Sequence, residues 1–332
     1  MNKIDKVDIK VLSHDKTLGN SRLEYRIKSK NVDYIVINTI RRSILSFVPV
    51  YAFVNFKFEK NTSVFNNNYL KLRINNMPVW AIDNDIIYYE KKQMEMKPVE
   101  ETDNVEEFGN IDIEETETKE TNRVDKLNQL TMYVKYHNIT DKNLTVTTDH
   151  AKFYYNGKNI NSPYKTPIPI VDLQPKQDIS FSVTTDLGIE EMNAMYSPVS
   201  ICTYKQLAEN EFELYLESRG QRKEQYIISV GIDNVIKHMN DFAKLLENNY
   251  KESDNLEGVM HVNNEDHTLG NLISRGLQQH EKISFAGYKM THPMDTKIEI
   301  YYKLKKKDNL VNIVDDVIKY YTTIFNEIKK NL

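Results

Sequence analysis

The chain has 332 residues and a single cysteine, Cys202, which excludes an internal disulfide and a cysteine-based zinc site. Its length can bury sizeable cores and favours two or three domains. The formal net charge is −4. Residues 90–125 hold 13 acidic and 5 basic side chains, so this stretch carries −8 and the rest of the chain +4. Neither the net charge nor the charge of the rest of the chain fits a protein that holds nucleic acid mainly by charge.

The N-terminal run MNKIDKVDIK is charged where a signal peptide needs apolar residues. No stretch approaches the roughly 20 apolar residues of a membrane span. We therefore expect an intracellular protein in a reducing compartment, without a membrane segment.

The first quarter of the chain reads as two strands, a helix and a third strand. Alternating apolar residues predict strands over 4–12 and 21–28. Apolar residues at helical spacing predict a helix over 35–46, and Pro49 separates it from an apolar strand.

The middle of the chain changes character. Residues 97–125 mix Pro, Glu, Thr, Asp and Asn with few large apolar residues, which is typical of an acidic loop. Alternation returns over 130–139 and 144–155 and predicts two or three strands. We interpret residues 84–163 as an inserted, mostly β subdomain.

The last third repeats the helix-then-strand plan of the first quarter. A helix over 267–279, capped by Asp266 or Thr268, carries one apolar stripe and leads into a strand over 283–288. Two similar units in one chain predict a pseudo-twofold pair.

Each half closes with an amphipathic helix, over 231–248 and 309–330. The polar run 251–258 joins the halves as a linker. DKTLGN (15–20) nearly repeats DHTLGN (266–271), but the first run leads into a strand, so we treat the likeness as chance.

Several of these runs resemble the assembly subunits of multisubunit RNA polymerases. HTLGNLISRG with FAGYKMTHPM is similar to the small partner, the archaeal L subunit or the eleventh subunit of RNA polymerase II. NTIRRSILSFVPVYAF with EKNTSVFNNNYLKLRINNMPV resembles the larger partner, archaeal D or the third subunit. The resemblance implies that both partners are joined in one chain, an arrangement associated with RNA polymerases of large cytoplasmic DNA viruses.

The resemblance implies an α+β fold with two α-subunit-like dimerisation units paired about a pseudo-twofold within one chain. The larger unit would cover 1–83 and 164–250, and the smaller unit 259–332. In relatives the insert between them can hold cysteines for zinc or an iron–sulfur cluster. This chain has no such ligands there, so we expect no metal and no cofactor.

The apolar stripes define the predicted interface between the units. Its residues are Ile37, Ile40, Ile44, Leu45, Leu269, Leu272, Ile273, Leu277, Val314, Val317 and Tyr321. Residues of the second set are candidates for contact with a large polymerase subunit, namely Arg41, Arg42, Phe285, Gly287, Tyr288 and Lys289. The competing interpretations are a solvated arginine pair and an ordinary strand with a close-packing glycine.

No catalytic constellation stands out. His261, His267, His280 and His292 lack the short ligand spacing of a zinc site, and the chain has no phosphate-binding glycine loop, nucleophile elbow or carboxylate triplet. The lysines at 303 and 305–307 fit a solvated strand end better than a nucleic-acid site. We expect no active site and no strong direct binding of nucleic acid.

The function implied by the resemblance is a non-catalytic platform that nucleates binding of the two large catalytic subunits, alongside small polymerase subunits, in the transcription machinery. We expect a monomer within a hetero-oligomeric complex. If the protein is viral, the host cytoplasm and the virion are its expected locations, with the nucleus as the alternative. A free-standing interaction adaptor that keeps the dimerisation fold is the alternative function. An unrecognised nucleotidyl-transfer enzyme is disfavoured by the missing carboxylates.

Overall fold

The computed structural model describes residues 5–16, 21–80, 82, 88–89, 95–96, 129–249, 255–290, 292 and 296–332. The helices in these residues are α1 (Tyr34–Ser46), α2 (Asn67–Asn75), α3 (Glu224–Asn249), α4 (His267–Gln279) and α5 (Leu310–Lys330). The strands are β1 (Asp8–Lys16), β2 (Ser21–Lys28), β3 (Val50–Asn61), β4 (Glu95–Met96), β5 (Leu130–His137), β6 (Leu144–Thr147), β7 (Ala151–Tyr155), β8 (Lys158–Ile160), β9 (Pro169–Leu173), β10 (Asp178–Gly188), β11 (Val199–Ala208), β12 (Glu211–Ser218), β13 (Glu257–Asn263), β14 (Ile283–Met290) and β15 (Lys297–Leu304).

Two four-stranded antiparallel sheets carry the helices. The first has the order β1-β2-β12-β11 and packs against α1 and α3, while the second has the order β14-β15-β13-β4 and packs against α4. Helix α5 packs on α3 and α4. Four helices therefore lie between the two sheets.

One apolar core runs through both sheets and these four helices. Leu23 on β2, Ile40 on α1, Phe242 on α3, Leu272 on α4 and Phe325 on α5 are all buried within it. A buried side chain of this size contributes about 1.5–3 kcal/mol. Because the core is continuous, separating the halves would expose apolar surface on each.

A second body has its own core. Its five-stranded sheet has the order β3-β10-β5-β7-β8, and β6 pairs with β9 beside it. Phe53, Leu70 of α2, Met132, Phe153 and Phe181 are buried there. The core of this body is separate from the one between the helices.

The strands of the second body are grouped differently from the sequence interpretation. The predicted insert, 84–163, shares its sheet with β3 and β10, which lie outside those limits. Strand β4, from the same predicted insert, pairs instead with β13 of the second helix-bearing sheet. A period-2 pattern shows which residues of a strand are buried, but not which strand it pairs with. The acidic loop predicted over 97–125 lies outside the described residues.

The predicted helices agree with the structure except at one end. Helices α1, α4 and α5 begin and end within one residue of their predicted bounds, whereas α3 begins seven residues before Gly231. We expected the helix to start at this glycine, but it lies inside α3 against Ile44 of α1. The predicted α+β class is confirmed. None of the described helices is long and apolar enough to cross a membrane.

Candidate functional site

The candidate site is the contact between α1 and α4, two helices of 13 residues that begin in the same way. Asp33 caps α1, where its Oδ1 accepts hydrogen bonds from the backbone N–H groups of Ile35 (3.0 Å) and Val36 (3.1 Å). Asp266 caps α4, where its Oδ1 accepts from the N–H of Thr268 at 2.6 Å. Each aspartate satisfies backbone donors that a helix end leaves without partners.

The apolar stripes of both helices are buried. The residues predicted for the interface and exposed by 5% or less are Ile37, Ile40, Ile44, Leu269, Leu272, Ile273, Leu277, Val314, Val317 and Tyr321. Leu45 is partly buried and packs against the same core. All these side chains belong to the core shared by the two sheets.

Two arginines link the helices in a reciprocal way. Arg42 of α1 donates from Nε to Oγ1 of Thr268 and from Nη2 to Oδ2 of Asp266, both at 2.7 Å. Arg275 of α4 approaches Oδ2 of Asp33, the cap of α1, at 3.5 Å. Each arginine lies nine residues after the aspartate that caps its own helix. Each cap therefore serves its own helix with one oxygen and the opposite arginine with the other.

The charge of Asp266 is stabilised at this contact. Partial burial raises the pKa of its carboxyl, but hydrogen bonds from the side chain and backbone of Thr268 and the nearby Arg42 guanidinium outweigh burial and leave the pKa below its ordinary value of 3.8. The carboxylate is therefore ionised at neutral pH and pairs with the arginine.

The outer helices fit closely against this pair. Ser43 of α1 donates to the backbone oxygen of Gly231 in α3 at 2.6 Å. Gly276 of α4 faces Val317 and Tyr321 of α5. Because no side chain stands between the backbone of each glycine and the neighbouring helix, the helices approach closely.

The two arginines proposed to contact a large subunit differ in their surroundings. Arg41 bonds only within its own helix among the contacts described, from Nε to Oδ1 of Asn38 at 2.9 Å. Arg42, which we placed on the flank of the apolar stripe, is held by α4 instead. Helical spacing predicted its position on the flank correctly, but could not predict which surface would cover that flank.

The other candidates lie on β14. Phe285 is 60% exposed, and Lys289 forms an ion pair with Glu299 at 3.1 Å beside the ring of Tyr301. Tyr288 lies within 3.2 Å of the Nδ1 of His267 through its hydroxyl, and its ring packs over Gly270. Phe285 is thus the most accessible of the apolar candidates, whereas Tyr288 supports the start of α4.

The histidines near α4 have separate carboxylate or hydroxyl neighbours. His261 lies near Glu299 and His280 near Asp316, while His267 meets Tyr288. Within the described part of the chain, no group of three His, Cys, Asp or Glu side chains is arranged to hold a metal ion.

Sequence reasoning missed Asp33 and Arg275 as site residues. A signal was available, because DYIVINTIRR and DHTLGNLISR both start with aspartate and end with arginine nine residues later.

The segment that contains α4 is similar to known proteins. Residues 257–331, which include α4, β14 and α5, match the RNA polymerase Rpb3/Rpb11 dimerisation domain. A protein of Acanthamoeba polyphaga mimivirus named as a DNA-directed RNA polymerase subunit is 23% identical over 322 residues, which cover 92% of this chain and 89% of the relative. This chain resembles that viral subunit along nearly its whole length.

The chain also matches shorter proteins over part of its length. RNA polymerase II subunit RPB11 of Plasmodium chabaudi chabaudi is 37% identical over 73 residues, or 20% of this chain and 58% of that protein. RPB11 of Schizosaccharomyces pombe is 32% identical over 73 residues, or 22% of this chain and 59% of that protein. The resemblance predicted from HTLGNLISRG is confirmed.

Proposed function

We propose that this protein is a non-catalytic assembly platform of a DNA-directed RNA polymerase, in which α1 and α4 pair two α-like units about a pseudo-twofold. The observation that carries the proposal is that α4, within the segment similar to the Rpb3/Rpb11 dimerisation domain, packs against α1 through reciprocal arginine–aspartate contacts. Equivalent residues on both sides of a contact are expected of a twofold arrangement.

The two cores support a revised division of the chain. The first unit would comprise residues 5–48 and 199–249, and the second unit 255–332 with β4 added to its sheet. The inserted body would comprise residues 51–82 and 129–187. The larger insert follows from the sheet that β3 and β10 share with β5 and β7.

Fewer residues are candidates for contact with the large subunits than the sequence suggested. Phe285 and Lys289 are exposed on β14, Gly287 lies between them, and Arg41 is free of contacts to α4 among the bonds described. Arg42 and Tyr288 are bound by residues at the start of α4, so we propose Arg41, Phe285, Gly287 and Lys289 as the stronger candidates. An exposed aromatic side chain is a typical anchor of a protein interface.

The viral relative supports a place in the transcription machinery of a cytoplasmic virus and its virion. The nuclear alternative has no support from the similar proteins. We further propose that the partners are the two large subunits together with small polymerase subunits, and that catalysis belongs to the large subunits. The adaptor alternative would keep the helix pair but bind no polymerase subunit.

Co-expression with the two large polymerase subunits of the same source tests the proposal. We expect a complex that survives gel filtration. Phe285→Asp should weaken it at least tenfold, because a buried aromatic anchor contributes about 2 kcal/mol or more. Ile139→Asp is the matched control, since Ile139 is 84% exposed on the inserted body.

If the native chain and the control form no complex with the large subunits, the platform function is wrong and the adaptor is favoured. If the complex forms but resists Phe285→Asp, only the proposed contact surface is wrong. Metal-dependent RNA synthesis by the isolated chain would overturn its assignment as non-catalytic.

A further inference from the structure

The α1–α4 contact includes polar interactions in addition to its buried apolar side chains. Burial of apolar stripes is not directional, so it favours contact without fixing which helix pairs with which or in what register. Reciprocal polar contacts can fix both, as buried polar residues do in coiled coils. The arginines and N-cap aspartates are the groups here that could do so.

The two polar contacts are unequal. Arg42 has two acceptors at 2.7 Å, the carboxylate of Asp266 and the hydroxyl of Thr268. Arg275 has one acceptor at 3.5 Å, because the residue two positions after Asp33 is Ile35, where α4 has Thr268. The stronger acceptor pair therefore lies on α4.

Helix α4 also carries an arginine at the matching position. Arg275 is nine residues after Asp266, as Arg42 is nine residues after Asp33. In an antiparallel pair of two α4 helices, each Arg275 would face the Asp266 and Thr268 of the other. Helix α4 thus has both the donor and the acceptors that a twofold contact with itself requires.

We propose that Arg42, Asp266 and Thr268 form a polar key that fixes the pairing and register of α1 against α4, and that α4 pairs with the α4 of a second copy of this chain when the charge of Arg42 is reversed. This inference rests on the proposed pairing of the two units. The tether between the halves holds α1 at a high effective concentration, of the order of mM, so the native chain keeps the pair within itself.

Charge reversal in the full-length chain tests the proposal. In Arg42→Asp the new carboxylate faces Asp266, and like charges in contact are unfavourable. We expect the chain to change from a monomer of 39.0 kDa to a concentration-dependent dimer of twice that mass by light scattering. Arg41→Asp is the matched control and should stay monomeric, because Arg41 bonds to Asn38 of its own helix.

A double variant identifies the surface of the new dimer. Arg42→Asp with Arg275→Asp removes the donor that a self-pair of α4 needs, so we expect the dimer to be lost. A dimer that persists in this double variant would overturn the proposal. The proposal is also wrong if Arg42→Asp remains a folded monomer with the thermal midpoint of the native chain.

A milder series keeps the proposal testable if charge reversal prevents folding. Arg42→Ala, Thr268→Val and their combination are compared by urea unfolding. We expect the shift of the double variant to be smaller than the two single shifts added together, because both substitutions break one contact. Additive shifts would show that the three residues do not act as a unit. These measurements use no large subunit. A result that contradicts the polar key would therefore not contradict the proposed complex with the large subunits.

Discussion

Gly276 of α4 lies directly against Val317 of α5, with no space for a side chain between them. A Cβ atom at this position would also lie 2.8 Å from Cε2 of Tyr321. Both neighbours are fully buried, and valine has little freedom to move aside. The glycine therefore determines how closely α4 and α5 can approach.

Gly276→Ala should destabilise the chain although alanine favours helices. The helix preference contributes about 1 kcal/mol in favour of alanine, whereas overpacking a core typically costs about 1–3 kcal/mol. We expect a net loss of about 1 kcal/mol, measured as a lower urea midpoint. Gly287→Ala is the control, because its Cβ would meet the ring of Phe285 at 3.5 Å, an ordinary contact distance. An unchanged midpoint for Gly276→Ala would show that α5 can move away at little cost.

The Arg42–Asp266 contact should make stability depend on acid pH. The pKa of Asp266 in the folded chain lies below its ordinary value of 3.8, so its contribution is present above that value and is lost as pH falls through the lower folded pKa. Arg42→Ala removes one of the groups that lower this pKa and leaves the effect of burial less opposed. We expect acid unfolding of this variant to begin at a higher pH than in the native chain, followed by circular dichroism. Arg41→Ala should unfold at the native pH, and an equal shift in both variants would contradict the assignment to Asp266.

Cys202 should be inert in the folded protein. Its thiol is buried on β11, and burial raises its pKa from 9.0 to about 12 despite the nearby Arg41. The reactive thiolate is therefore about a thousandfold scarcer at pH 8 than for a free thiol. We expect almost no reaction with a disulfide reagent in buffer and complete reaction in urea. Rapid stoichiometric labelling of the native chain would show that β11 opens readily.

Arg219 joins the two cores, and its loss should weaken the connection. Its guanidinium donates to the backbone oxygens of Ser197 at 3.2 Å and Asn76 at 2.5 Å, and its own backbone oxygen accepts from Nε1 of Trp80. Burial lowers its pKa, but the group stays a donor to these carbonyls. Arg219→Ala should cost about 1.5–3 kcal/mol, because bonds from a charged donor are lost and the acceptors lose a partner.

Urea unfolding measures this loss, and limited proteolysis locates it. Cleavage between the two bodies should accelerate in Arg219→Ala. Arg73→Ala is the control, because Arg73 makes one exposed bond, to the oxygen of Pro169 at 3.2 Å. Equal effects of the two substitutions would mean that Arg219 has no special role at the junction.

Much of the helix pair could be predicted from local pattern. The caps Asp33 and Asp266 and the stripes of α1 and α4 are consequences of residue spacing within 13 residues, and a helix has the same periodicity wherever it packs. The sequence also indicated a resemblance to polymerase assembly subunits through HTLGNLISRG, and residues 257–331 match the Rpb3/Rpb11 dimerisation domain. Residues 97–125 lie outside the described part, so their predicted loop stays a prediction.

The sequence by itself determined which faces of α1, α4 and α5 are apolar and, to within one residue, where these three helices begin. Only the tertiary structure decided that Arg42 meets Asp266 and Thr268, that β3 and β10 join the strands of the insert, and that α3 continues through Gly231. Periodicity records how a segment divides between core and solvent, because burial is a property of one face. The identity of the surface that covers a face depends on segments far away in the chain, and for Arg42 that surface lies 224 residues further on.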